Sequence, residues 1–275
     1  MAINLGTGAI DKLYLGATEI TKAYLGATQI YSVGGVTNNA FELTVETTEA
    51  NETFLLPMRS VTSIDIDWGD GNVDTGITSD DPTHVYATAD TYAISVTGTA
   101  GTVLFQNSGS EGKVRTVTNL GALGWTDLSS AFLSSSITSF NAGDCDTSNV
   151  TAIFRPFQNC TSLTSANVTG MDTSNVTDFR NAFRDCAALN DVIGLETLNI
   201  ESVTGFDASG GFMENVTLPT SRYDAVLVAW EAQTVNSGLS INFGNSKYTA
   251  GSAAATARAS LENNDNWSIT DGGSV

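Results

Sequence analysis

The chain has 275 residues and carries 11 basic against 30 acidic side chains, a formal net charge of −19. Acidity of that size repels phosphate, which argues against nucleic acid or an anionic membrane surface as partner, and the length allows one large domain or two to three small ones. No run of about 18 apolar residues is present, so no bilayer-spanning helix and no membrane insertion is expected, while three cysteines, an odd number, argue against a disulfide framework.

The acidity is not evenly spread. Residues 1–36 are neutral, because Asp11 and Glu19 balance Lys12 and Lys22. The start, MAINLGTGAI, has neither the basic end nor the apolar run of a secretion signal. "IDKLYLGATE" is followed ten residues later by "ITKAYLGATQ" and then by "IYS". The spacing predicts short strands at Lys12–Leu15 and Lys22–Leu25 and a third at the end, forming a meander. An isolated meander of this size is marginal in water, so it calls for a neighbour. The phrase "KLYLGATEITKAYLGATQIYS" resembles N-terminal segments of tailed-bacteriophage virion proteins. That resemblance implies a docking segment that contacts other virion proteins, with Leu13, Tyr14, Leu15, Tyr24, Leu25, Ile30 and Tyr31 as docking residues. "VGGVTNN" at 33–39 reads as a flexible link.

The segment 37–112 reads as β structure. "TYAISV" at 91–96 alternates like a half-buried strand, and Asp70-Gly71 suits a tight turn. Trp68-Gly69-Asp70-Gly71, His84-Val85-Tyr86 and the alternating Tyr92, Ile94 and Val96 resemble a PKD-type immunoglobulin-like module, which implies a small β-sandwich. Asp90 stands where that family usually has Gly. Asp65, Asp67, Asp70 and Asp74 are close enough in sequence to raise calcium, but they lack the Gly at position six and the closing Glu of an EF-hand loop. Alternation places Asp65 and Asp67 on one solvated face, and His84, the chain's single histidine, has no nucleophile pattern beside it.

From residue 113 onward a repeat dominates. "CDTSNVTAIFRPFQNCTSL" at 145–163 recurs as "MDTSNVTDFRNAFRDCAAL" at 171–189, an offset of 26 residues. The apolar sets Ile137/Phe140/Ala142/Cys145 and Leu163/Ala166/Val168/Met171 follow L-x-x-L-x-L spacing. A third set, Leu189/Ile193/Leu195/Leu198, fits with one inserted residue. One strand per turn would stack like residues into columns: Val150, Val176 and Val203; Phe132, Phe157, Phe183 and Phe212; Cys160 and Cys186; Cys145 with Met171 and Leu198. The cysteines then read as small buried apolar groups, since a zinc site needs four ligands. DTSNVT reads as the polar turn leaving each strand, its side chains bonding their own backbone; a row of such turns could also present a ligand. The Asn-x-Thr strings at Asn149, Asn167, Asn175 and Asn215 follow from the repeat. The period and the phrase resemble the bacterial-surface leucine-rich-repeat family called BspA-like, over about residues 113–275. The chain then closes with a helix after Pro219 with a Ser221-x-x-Asp224 cap, a strand at 239–243, an Ala-rich helix at 250–264 and a short strand at 266–273.

The expected fold is therefore mainly β: an N-terminal β-meander anchor (1–36), a PKD-like sandwich (37–112) and a leucine-rich-repeat solenoid with an α/β cap (113–275). The resemblances imply a non-enzymatic phage virion protein on the particle exterior, a fibre or spike adhesin presenting a host-surface binding solenoid to a glycan or protein. Homo-oligomerisation is left open. No catalytic, cofactor-binding or metal-binding residue is marked out. The alternatives are capsid decoration or a tail component without receptor binding, a bacterial surface adhesin, or a glycan hydrolase, which would need a marked carboxylate pair.

Overall fold

In the computed structural model the described residues are 13–15, 18–20, 22–25 and 28–32, by backbone alone, together with 39–206 and 211–275. The chain divides into two compact units, Met1–Asn38 and Asn39–Val275.

The first unit holds β1 (Leu13–Leu15), β2 (Thr18–Ile20), β3 (Lys22–Leu25) and β4 (Thr28–Ser32). β1 pairs antiparallel with β2, and β3 with β4, as two separate two-stranded sheets. The expected three-strand meander is thus replaced by two hairpins. The β-branched Thr18 and Ile20, and Thr28 and Ile30, favour extended backbone, so each ten-residue copy supplies its own return strand, and the expected third strand at Ile30–Ser32 becomes part of β4. Lys12 and the 33–38 link lie outside the described residues.

The second unit continues with β5 (Phe41–Glu46), β6 (Glu52–Leu55), β7 (Met58–Arg59), β8 (Ser63–Asp67), β9 (Val73–Ile77), β10 (Thr83–Tyr86), β11 (Thr91–Thr99) and β12 (Thr102–Val103). Then come β13 (Val114–Asn119), β14 (Ser139–Asn141), β15 (Ser165–Asn167) and β16 (Asp191–Ile193), with a 3₁₀ turn at Leu195–Thr197. The chain ends in α1 (Thr220–Glu231), β17 (Ser240–Asn242), α2 (Ala253–Asn263) and β18 (Ser268–Thr270).

The protein is mainly β, built on one mixed sheet of eight strands in the order β16-β15-β14-β13-β5-β11-β8-β9. From β9 to β13 the pairing is antiparallel, and from β13 to β16 it is parallel. Alternation decides which side is buried. Phe41, Leu43 and Val45 of β5, Ile64 and Ile66 of β8, and Tyr92, Ile94 and Val96 of β11 all face the core. Their neighbours Glu42, Thr44 and Glu46, Asp65 and Asp67, and Thr91, Ala93 and Ser95 form the outer face. Each large apolar side chain buried here contributes about 1.5–3 kcal/mol.

The border expected at residues 112 and 113 falls inside this unit. β13 bonds β5 on one side and β14 on the other, so the antiparallel strands and the repeat strands share a sheet and a core. Trp125, just beyond β13, packs edge-on against Phe41 at 5.6 Å. The third repeat copy also shifts. Ala166 aligns with Val192, and Val192 is buried, whereas Ile193 aligns with Asn167 and is 43% exposed. The inserted residue sits after the strand, where Gly194 at φ 83 opens the 3₁₀ turn that keeps Leu195 buried. Strand pairing holds its 26-residue register, and the turn absorbs the extra residue.

At the C-terminal end the expected helix–strand–helix–strand order is present, with β17 and β18 parallel. Ser252 caps α2 by accepting from the amides of Ala254 and Ala255. The Ser221-x-x-Asp224 cap does not form. α1 begins at Thr220, directly after Pro219, and the Asp224 carboxylate instead accepts from the amide and hydroxyl of Thr249.

Candidate recognition surface

Each turn of the repeat is built around the same column of rings. Phe132 stacks on Phe157 at 5.5 Å, and Phe157 on Phe183 at 5.4 Å, with planes within 10°. The column extends backward to Phe105 and forward, edge-on, to Phe212. A parallel column follows the buried Val150, Val176 and Val203.

The DTSNVT strings form the turns, as read, and also tie one turn of the stack to the next. Asp146 accepts from the amide and hydroxyl of Ser148, and Asp172 repeats this with Ser174 at the same distances, 3.0 and 2.6 Å. These bonds, led by the serine hydroxyls, hold both carboxyls below the usual aspartate range. The buried Thr147 hydroxyl donates to the carbonyl of Asp172, and Thr173 to that of Asn199. Asn175 reaches back to the Ser148 carbonyl. The link from turn to turn had no local sequence sign, because each partner lies about 26 residues away.

Cys160 and Cys186 are buried and free, and Cys145 is half-buried. The Cys160 thiol donates to the Phe132 carbonyl at 2.8 Å and Cys186 to the Phe157 carbonyl at 2.9 Å. Burial pushes the Cys160 and Cys145 thiols up to about 11, and pushes Cys186 up as well. They are neutral packing groups at ordinary pH.

Two corner columns run beside the rings. Ser130, Arg155 and Asn181 share one left-handed corner, with φ of 58, 48 and 57, and Ser134, Asn159 and Asp185 share the other. Next to the first corner, Phe154 stands one turn before Arg180 in the same column. The Arg155 and Arg180 guanidinium carbons lie 4.8 and 5.0 Å from the Phe154 ring centre. Arg180 grips Asp178 through Nε and Nη2. A shallow groove beside it is lined by Thr177, Asp178, Arg180, Thr204 and Gly205. The sequence reading did not single out these arginines; their proximity needs the turn-to-turn register.

In the antiparallel part, each expected acidic residue has its own task. Asp65 accepts from the Gly76 amide, Asp67 from the Gly69 amide and Asp74 from the Trp68 indole. Asp70 bonds His84 Nε2 at 2.8 Å and the amide and side chain of Asn72. Burial works to raise the Asp70 carboxyl, but the bonds from His84 and Asn72 outweigh it and bring it down to about 2. His84 stacks on Trp68 at 5.0 Å and meets Tyr86 edge-on. The Tyr86 hydroxyl donates to the Trp68 carbonyl. Gly69, at φ 81, lies against the Ala93 backbone where a Cβ would collide. Among the described residues no three His, Cys, Asp or Glu side chains gather into a group able to hold a metal, and no helix is long and apolar enough to cross a membrane.

The expected docking residues fall on three strands of the first unit. Leu13, Tyr14 and Leu15 are on β1, opposite Ile20, Glu19 and Thr18. Tyr24 and Leu25 are on β3, opposite Gln29 and Thr28, and Tyr31 of β4 faces Ala23. Ile30 sits at the register shift between those pairs. Tyr14 and Tyr24 hold equivalent places in two hairpins and not neighbouring places in one sheet.

Residues 126–249 match a family described as "Mycoplasma protein of unknown function, DUF285". No curated protein and no solved structure matches the chain. The stretch similar to that family is thus the stacked repeat together with α1 and β17, less than half of the chain, and the antiparallel strands lie outside it.

Proposed function

We propose that the protein is a non-enzymatic attachment protein of a phage particle, docked by residues 1–36 and presenting the stacked repeat, read as a leucine-rich-repeat solenoid, to a host-surface glycan or protein. The observation that carries this reading is the continuous outer face of the eight-stranded sheet. Ser95 pairs with Glu42 of β5, and two residues along the same strand Thr44 begins the row Thr44, Thr116, Ser139 and Ser165 across β5, β13, β14 and β15. Extended repeat surfaces recognise other molecules without chemistry, and the separation of residues 1–38 as their own compact unit suits a docking piece. The virion context rests on the resemblance of the phrase KLYLGATEITKAYLGATQIYS to virion N-terminal segments.

The test is location. Gold-labelled antibody against residues 39–275 is expected at tail tips or projecting fibres of particles from the source. Label spread over the capsid would turn the reading to decoration. A second reading, a bacterial surface adhesin, is favoured by the match to a family described from Mycoplasma; label on cells and on no particle would establish it.

A further inference from the structure

Arg155 stands out on two independent counts. The first is backbone. It occupies a left-handed corner at φ 48, a region that side chains other than Gly, Asn and Asp adopt at a cost. The equivalent corners carry Ser130 one turn back and Asn181 one turn on, so the repeat imposes the conformation and Arg155 is the one long charged side chain set in it. The second is charge. The other arginines each meet a carboxylate: Arg59 with Asp81, Arg115 with Glu46, Arg180 with Asp178, Arg184 with Asp185 and Glu214, Arg222 with Asp191 and Glu196, and Arg258 with Glu262 and Asp271. Arg155 meets none among the described residues. Its Nε donates to Ser130 Oγ at 3.0 Å, which fixes the guanidinium and leaves Nη1 and Nη2 unused.

In a chain of net charge −19, a guanidinium so placed gains nothing from its own protein beyond one hydroxyl and one ring. A guanidinium held by one hydroxyl and one ring, with no carboxylate beside it among the described residues, is placed to take a carboxylate from a ligand. The surroundings narrow the class. Arg180 adds a second guanidinium over the same ring, with Asp178 cancelling one of the two charges. The remaining single positive charge suits one carboxylate. The adjoining groove carries the Thr177 and Thr204 hydroxyls, which donate to the Thr151 and Thr177 carbonyls and keep lone pairs to accept from a sugar hydroxyl, and Gly205 leaves it open, since a Cβ there would come within 3.3 Å of the Arg180 stem. A charged fork beside a hydroxyl-lined shelf fits a sugar ring bearing a carboxylate.

We propose that Phe154, Arg155 and Arg180, with the Thr177–Thr204 groove, bind the carboxylate of an acidic sugar in a surface polysaccharide. This rests on the attachment reading and specifies its ligand. The full chain is titrated with a panel of hexuronate and sialate oligosaccharides, with their methyl esters, and with a Glu-rich peptide. Binding is expected for at least one acidic sugar, and its methyl ester, which keeps the ring and removes the charge, is expected to bind about tenfold more weakly or not at all. Arg155→Asn is expected to abolish that difference while keeping or raising the melting temperature, because Asn suits the corner. Arg155→Lys is expected to retain part of the binding.

Equal affinity for acid and ester, equal binding by the Arg155→Asn variant, preference for the peptide, or no binding to any acidic sugar would each overturn the proposal. Adsorption to whole host cells separates it from the broader reading. If wild type and Arg155→Asn adsorb equally, attachment stands and this site falls; if neither adsorbs, both fall.

Discussion

The antiparallel strands β5, β8, β9 and β11 and the parallel strands β14–β16 belong to one sheet, yet they are secured in different ways. In the antiparallel part the acidic loop between β8 and β9 is held by local bonds, while Thr44 and Glu46 of β5 reach Thr116 and Arg115 of β13. Asp67 accepts from the Gly69 amide, Asp74 from the Trp68 indole, and Asp70 from the Asn72 amide and bonds His84, all within 14 residues of themselves. In the repeat the same bonds recur one turn later, and many partners are the backbone of the next turn, as Thr147 with Asp172 and Thr173 with Asn199 show. The contrast teaches that damage should stay near its origin in the first region and travel along the stack in the second.

The sharpest way to break that comparison is a matched pair of core deletions. Phe157→Ala removes the middle ring of the column, and Trp68→Ala removes the ring behind His84. Each should cost about 3–5 kcal/mol in chemical denaturation. Hydrogen exchange should differ, with protection lost around Phe132 and Phe183 in the first variant and confined to about residues 64–92 in the second. Equal spreading in both would sink the comparison.

A smaller effect comes from the buried thiols. The folded-state value of Cys160 is raised, so the neutral thiol stabilises the fold fully below the ordinary thiol value of 9.0, and that contribution is lost as pH climbs through about 11. It amounts to something on the order of 2 kcal/mol. Denaturation midpoints measured across pH 9 to 11 should fall, and Cys160→Ala should flatten part of the decline. Thr173→Val comes next. It leaves the Asn199 carbonyl without its donor inside the stack, at about 1–2 kcal/mol, and the same change at Thr147 should match it because the two sites are equivalent. The smallest effect belongs to the antiparallel region. The depressed Asp70 carboxyl stabilises above its ordinary value of 3.8 and loses that contribution as pH falls through about 2. Asp70→Asn should remove this acid-limb slope without altering exchange in the repeat.

Much of this architecture was legible in the residues. The 26-residue offset gave the strand register at Phe140 and Ala166, the ring column and the burial of Cys160 and Cys186, because identical residues at identical spacing must meet identical surroundings. Alternation placed Asp65 and Asp67 outward. What failed shares one cause, namely that the deciding partner is distant or backbone-only. Ile193 looked like the better core residue than Val192 until the pairing with Asn167 showed which of them points out. Nothing local in β13 announces that its second edge belongs to β5. Asp224 had the spacing of a cap and found Thr249 instead. The Arg155–Phe154–Arg180 group is invisible without knowing that residues 154 and 180 stack.

The junction of β13 with β5 and the closing α1–β17–α2–β18 segment are two fixed ends with a periodic middle. A whole 26-residue unit inserted or lost between Leu163 and Leu189 would leave both ends their original partners and alter the separation between them by one strand spacing, about 4.8 Å. Reach is therefore a heritable, stepwise variable of this chain, adjustable by unequal recombination between the near-identical DTSNVT segments without redesign of either terminus.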